Sequence, residues 1–239
     1  MKDALVISVL FLLLLATPVF AAELQAPKSG KINVAFVLTD GATMIDFAGP
    51  WEVFQDVHLP LRGSSMNDQM PFELYTVSEA LDPIYTSGGM KVIPDFTFED
   101  APMPDVVVVG AQRGSEGLPA WLRKVAPEVD VLMSVCTGVS KLADAGLLKG
   151  KRATTHHDFF DLFEERFPDV ELVRGRRFVE ADDVIASAGG LTSGIDLALH
   201  VVARYFGEKV AATTAEYMEY ESDGWKRGEI ANSAKQALK

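Results

Sequence analysis

Cysteine is almost missing from this chain: one residue, Cys136, among 239. A lone thiol cannot close an internal disulfide, so stability has to come from a buried core. Basic residues are also scarce, 22 Lys and Arg against 34 Asp and Glu, giving a formal net charge of −12. A chain this acidic is repelled by phosphate backbones unless a basic face is segregated. The densest basic cluster, Arg174, Arg176 and Arg177, is local and reads as a solvated turn, so no nucleic-acid partner is expected. No GxGxxG or Walker loop occurs, and His58, His156, His157 and His200 show no metal-ligand spacing with the cysteine. Nucleotide, metal and other cofactors are not expected.

The start of the chain has Lys2, an apolar block over residues 4–16, Pro18 and a small-residue exit at Val19, Phe20 and Ala21. That is the pattern of a secretory signal peptide over residues 1–21, with a block too short for a bilayer span. No cysteine follows it, which excludes a lipid-anchored form. The expected product is a periplasmic or secreted protein with no stable membrane association after cleavage. Its organisation would be a linker at 22–30, one α/β domain at 31–222 and a loosely packed polar tail at 223–239.

Within the domain, residues 31–38, 72–77, 105–109, 131–135 and 184–188 read as strands, the valine-rich 105–109 suiting the middle of a parallel sheet. Helical patterns begin near Asp46, Leu118, Val139, Asp158, Ser193 and Val210, the phenylalanines of 158–167 reading as core. Residues 58–69 read as a polar loop, and hairpins are expected around Ser87, Gly88 and Gly89, and over residues 170–180. Strands alternating with helices imply a mostly parallel sheet with helices on both faces.

The stretch most telling of function is 129–148, VDVLMSVCTGVSKLADAGLL, which sets Cys136 between a buried strand and a helix. A sharp strand-to-helix turn can lift its apex side chain to the sheet edge beside free helix N–H groups, which marks Cys136 as a candidate nucleophile. Gly110 and Ala111 end the neighbouring strand on the same edge. Asp46 is either a helix cap or a functional acid, and Thr137 a helix-start residue whose hydroxyl could position a water.

Three blocks, DFAGPWEVF from Asp46, SVCTG from Ser134 through AGLLKGKRATTH to His156, and SAGGLTSGID from Ser187 to Asp196, resemble the ThiJ/PfpI superfamily. The resemblance covers about residues 31–206. It implies a flavodoxin-like three-layer α/β sandwich of the class I glutamine amidotransferase type, with Cys136 reactive and Asp46 hydrogen-bonded to its sulfur. Aspartate at that position with threonine directly after the cysteine is similar to the isonitrile hydratase branch and to the ligand domains of AraC-type regulators. The protease branch carries histidine where Thr137 stands, and the glyoxalase and deglycase branch carries glutamate where Asp46 stands. The usual proline-glycine-glycine is replaced by Val109, Gly110 and Ala111, leaving backbone N–H groups of Gly110, Ala111 and Thr137 for an anion hole. His156 matches a family position near the cysteine and is assigned a secondary, structural role. The resemblance thus implies a cysteine-dependent enzyme acting on a small carbon electrophile as a homodimer. The alternatives are aldehyde chemistry on 2-oxoaldehydes and a non-catalytic periplasmic sensor. Beside a helix N-terminus the Cys136 thiol is expected to titrate below the free value of about 8.5, tuned by an Asp46 that holds a proton near neutrality.

Overall fold

A computed structural model describes residues 23–27 and 29–226; the expected signal peptide and the tail beyond Lys226 lie outside them. In chain order the strands and helices are β1 (Ile32–Val37), α1 (Met44–Gln55), α2 (Met66–Gln69), β2 (Phe72–Ser78), β3 (Ile84–Tyr85), β4 (Lys91–Val92), β5 (Phe96–Thr97), β6 (Val106–Val109) and α3 (Leu118–Val125). They continue through β7 (Val131–Val135), α4 (Val139–Asp144), β8 (Arg152–Ala153), α5 (Phe160–Arg166), β9 (Glu171–Leu172), β10 (Phe178–Glu180), β11 (Ile185–Ala188), α6 (Ser193–Phe206) and α7 (Glu208–Tyr217).

The main sheet has seven strands in the order β10-β11-β7-β6-β1-β2-β5, parallel except where β10 meets β11. Its central strands are covered on both sides, which is why they read as unbroken apolar runs. Period-two alternation sorts them into two cores: Ile32, Val34 and Phe36 point to the layer of α1 and α6, Ala35 and Val37 to that of α3 and α4. No helix among the described residues is long and apolar enough to cross a membrane.

Four expectations are corrected. Residues 170–180 do not form a hairpin: β9 pairs in parallel with β8, and β10 turns back on β11, because both short strands find better partners than each other. Of the phenylalanines in 158–167, Phe163 is core but Phe159 is exposed, since a short helix resting on the sheet can bury only one stripe. Residues 58–69, read as a polar loop, contain a 3₁₀ turn and the one-turn α2, capped reciprocally by Ser65 and Asp68. The tail is anchored at its start, where Trp225 is buried beside α6 and its carbonyl meets His200 Nδ1 at 3.2 Å.

Candidate active site at the Cys136 elbow

The site is assembled by strand register. Val109 lies opposite Ser134 and Ala188 opposite Val135, so β6, β7 and β11 end together and their next residues, Gly110, Cys136 and Gly189, share one sheet edge. Cys136 is buried, 7% exposed, and sits at φ +60 between β7 and a 3₁₀ turn leading into α4. A non-glycine residue pays roughly 1 kcal/mol or more for that conformation, which is the strained geometry of a nucleophile elbow. Two contacts enforce it: the Cys136 N–H donates to Gly189 O at 2.8 Å, and Gly138 passes so close to β6 that a Cβ would lie 2.1 Å from Val109 O.

Asp46 arrives from the first turn of α1 with no exposed surface. Its Oδ2 accepts the Ala111 N–H at 2.9 Å, and its Oδ1 is buried with no nitrogen or oxygen partner among the described residues. Gly110 permits the approach, since a Cβ there would come within 2.8 Å of Asp46 Cβ. Burial raises the Asp46 pKa to about 6, against the lowering effect of hydrogen bonds from the Ala111 N–H and the Cys136 thiol. Asp46 thus faces the sulfur as the sequence blocks imply, and holds a proton far more readily than an exposed aspartate.

The expectation of a depressed thiol pKa is wrong for this geometry. Burial pushes Cys136 up to about 12, and the Asp46 charge raises it further; the Thr137 N–H, the Leu191 N–H and the Thr137 hydroxyl favour the thiolate without offsetting them. The helix behind the elbow has only six residues, so its end supplies little field. Between these two titrations Cys136 and Asp46 together hold one proton, and it rests on sulfur.

The anion hole is also laid out differently. The Ala111 N–H is committed to Asp46, and Gly110 serves by lacking a side chain, while the N–H groups reaching the sulfur belong to Thr137 and Leu191. Leu191 was missed by sequence reasoning. It lies in the SAGGLTSGID block and takes φ +56, a conformation that a leucine in a sequence does not advertise. His156 accepts the Asp158 N–H at Nδ1, stacks on His157, and is held toward its neutral form by burial. Its ring fills the space beside Gly190. Thr155 hydrogen-bonds the Cys136 carbonyl at 3.0 Å.

The profile of the DJ-1/PfpI family matches residues 32–204. The chain belongs to the DJ-1/PfpI family. It is 31% identical over 195 residues to an isonitrile hydratase of Pseudomonas putida, covering 79% of this chain and 78% of that one. It is 32% identical over 187 residues to the HTH-type transcriptional regulator CdhR of Pseudomonas aeruginosa, covering 76% of this chain but only 53%, about half, of the regulator. Among solved structures, a ThiJ/PfpI family protein from Pseudomonas syringae superposes with a TM-score of 0.67 at 26% identity, over 83% of this chain and 78% of that one. This DJ-1/PfpI chain therefore has both enzyme and regulator relatives at similar distance.

Neither of two cavities is lined by Cys136 or Asp46. One of about 180 Å³ opens over the start of α4, with Gln112, Thr137, Ser140 and Thr155 on one wall and Phe159 and Phe163 on another. A larger one, about 730 Å³, lies between the far end of α1 and α7, a helix length from Asp46, and touches none of the reacting groups. His156, His157 and Asp158 gather ligand atoms within 4.8 Å of one another on the surface and could meet a cation there. The chemistry at Cys136 draws nothing from that group.

Proposed function

We propose that this DJ-1/PfpI chain is a cysteine-dependent hydratase that converts a small isonitrile to an N-substituted formamide. The observation that carries the reading is a strained, buried thiol facing a fully buried carboxyl that has, among the described residues, one oxygen without a nitrogen or oxygen partner and no ion pair. The pair stores a single transferable proton. Asp46 takes it from the thiol as sulfur attacks and delivers it to the isonitrile carbon, so that Cys136 and the isonitrile become a thioimidate with no proton gained or lost. Water then adds to that carbon, one of its protons passing through Asp46 to nitrogen. The tetrahedral adduct expels the sulfur, which regains its proton as the formamide leaves. The Thr137 hydroxyl and the Thr137 and Leu191 N–H groups stabilise charge developing on sulfur. The cavity of about 180 Å³ beside Thr137 adjoins the residue that follows the sulfur and is not lined by Cys136 or Asp46 themselves.

The 31% identity to an isonitrile hydratase supports the substrate class. Similarity to the regulator supports a second reading, in which the same pocket binds a small molecule without turnover. The test is formamide appearance from an alkyl isonitrile, with methylglyoxal in parallel, for the parent and Cys136→Ala. Formamide from the parent alone supports the hydratase. Consumption of methylglyoxal only would replace it with aldehyde chemistry, and isonitrile binding without product would make the domain a sensor. The proposal includes export and a homodimer: N-terminal sequencing should start near Ala22 and light scattering should give twice the mature mass, whereas an intact Met1 or a monomer would refute those parts.

A further inference from the structure

The basic cluster that sequence reading assigned to a solvated turn contains one residue that is only partly exposed. Arg177 has only 22% of its side chain exposed and forks onto Asp196, which is fully buried; the Nε donates to Asp196 Oδ2 at 2.6 Å. The same guanidinium donates to the Thr192 hydroxyl at 3.2 Å and to the Tyr220 hydroxyl at 3.3 Å. Its backbone carbonyl accepts the Gly189 N–H at 2.9 Å. Gly189 O in turn accepts the Cys136 N–H, and Thr192 follows Leu191, the residue at φ +56 whose N–H reaches the sulfur. Tyr220 Oη closes the network on the Thr192 carbonyl at 3.4 Å, and Ser222 Oγ donates to Asp196 Oδ1 at 3.1 Å.

Arg177 thus holds the segment on either side of Leu191, at the Gly189 N–H through its carbonyl and at the Thr192 hydroxyl through its guanidinium. We infer that Arg177, buttressed by Asp196 and by Tyr220 of the C-terminal segment, is a positioning residue that holds the 189–192 loop so that the Leu191 N–H stays aimed at Cys136. An unsupported leucine would leave the left-handed region, and its N–H would swing away from the sulfur. The inference rests on Cys136 being the reacting group and is independent of its substrate. It also gives the Arg177–Asp196 ion pair near the nucleophile a role: a rigid guanidinium fixes geometry where a flexible contact would not.

The readout is the rate of Cys136 alkylation by iodoacetamide at fixed, mildly alkaline pH, which follows the small thiolate fraction whether or not the protein turns anything over. The variants are Arg177→Lys, which keeps a cation opposite Asp196 but loses the fork, Thr192→Val, which removes one exposed hydroxyl, and Thr192→Ser, which restores it. A lost N–H donor lowers the thiolate fraction, so alkylation should slow about three- to tenfold in Arg177→Lys and Thr192→Val and return in Thr192→Ser. Mere loosening of the fold would expose the buried sulfur and speed the reaction, so the sign separates positioning from structure. Rates equal to or faster than the parent in both altered proteins would overturn the inference, and Thr192→Val decides alone if Arg177→Lys does not fold. Slowed alkylation with no isonitrile turnover in the parent would leave the positioning role standing and remove the hydratase.

Discussion

Asp46 and Asp196 are both fully buried carboxylates in the first turn of a helix, and the molecule treats them in opposite ways. Asp196 is neutralised by Arg177 and hydrogen-bonded by Ser222, so its charge is locked into the scaffold. Asp46 has a single backbone N–H, a thiol neighbour and one oxygen without a nitrogen or oxygen partner. At Asp196 the buried carboxylate faces a guanidinium; at Asp46, where no ion pair is formed among the described residues, burial moves the proton affinity into the working range. One carboxylate builds the loop that meets the sulfur; the other exchanges a proton with it.

Replacing each by asparagine is the sharpest way to break the contrast. Asp46→Asn should lower isonitrile turnover by about 10²- to 10⁴-fold, as expected for loss of an acid–base group, while speeding alkylation of Cys136 because the charge that raises its pKa is gone. Asp196→Asn should instead leave Arg177 uncompensated and cost about 3 kcal/mol of stability, read from urea unfolding. If Asp196→Asn unfolds like the parent, or if Asp46→Asn keeps full turnover, the division between scaffold and reagent fails.

Stability against pH sharpens the same contrast. The folded-state pKa of Asp46 is raised, so its protonated form favours the fold below the unfolded value of 3.8, and that contribution is lost as pH rises through about 6. The stability of the parent relative to Asp46→Asn should therefore fall by roughly 3 kcal/mol across this window. A difference that stays flat there would mean that the carboxyl titrates normally. The smallest effect is expected of Thr137→Val, which removes one hydroxyl from the sulfur's surroundings and leaves its N–H in place. Turnover should drop about three- to tenfold, and a loss as large as that of Asp46→Asn would give Thr137 a proton-transfer role instead.

The sheet and the elbow were legible in the sequence because each leaves a local mark, continuous valines and the SVCTG turn, whereas the approach of Asp46 to Cys136 was implied only by the family resemblance. The direction of the thiol shift was not legible, because it depends on how completely Cys136 is buried and on a charge supplied from ninety residues away, neither of which a helix-start argument contains. Leu191 escaped because its contribution is a backbone N–H at positive φ, indifferent to side-chain type. Arg177 was read as surface because it lies beside Arg174, which pairs with Asp161 and Glu164 near the surface, while its own partner stands nineteen residues further on. The short strands β8 to β10 were misjoined because two- and three-residue elements take their pairing from the sheet edge they happen to reach.

The central claim is that Cys136 and Asp46 hold one shared proton that rests on sulfur in the free protein. It is tested most directly by the ultraviolet thiolate band of the parent minus that of Cys136→Ala, followed from acid to alkaline pH. The account predicts no thiolate step up to and beyond the free-thiol value of about 8.5, with Asp46→Asn bringing the step to lower pH. A parent step with its midpoint at or below that value would show a pre-formed thiolate and contradict the account.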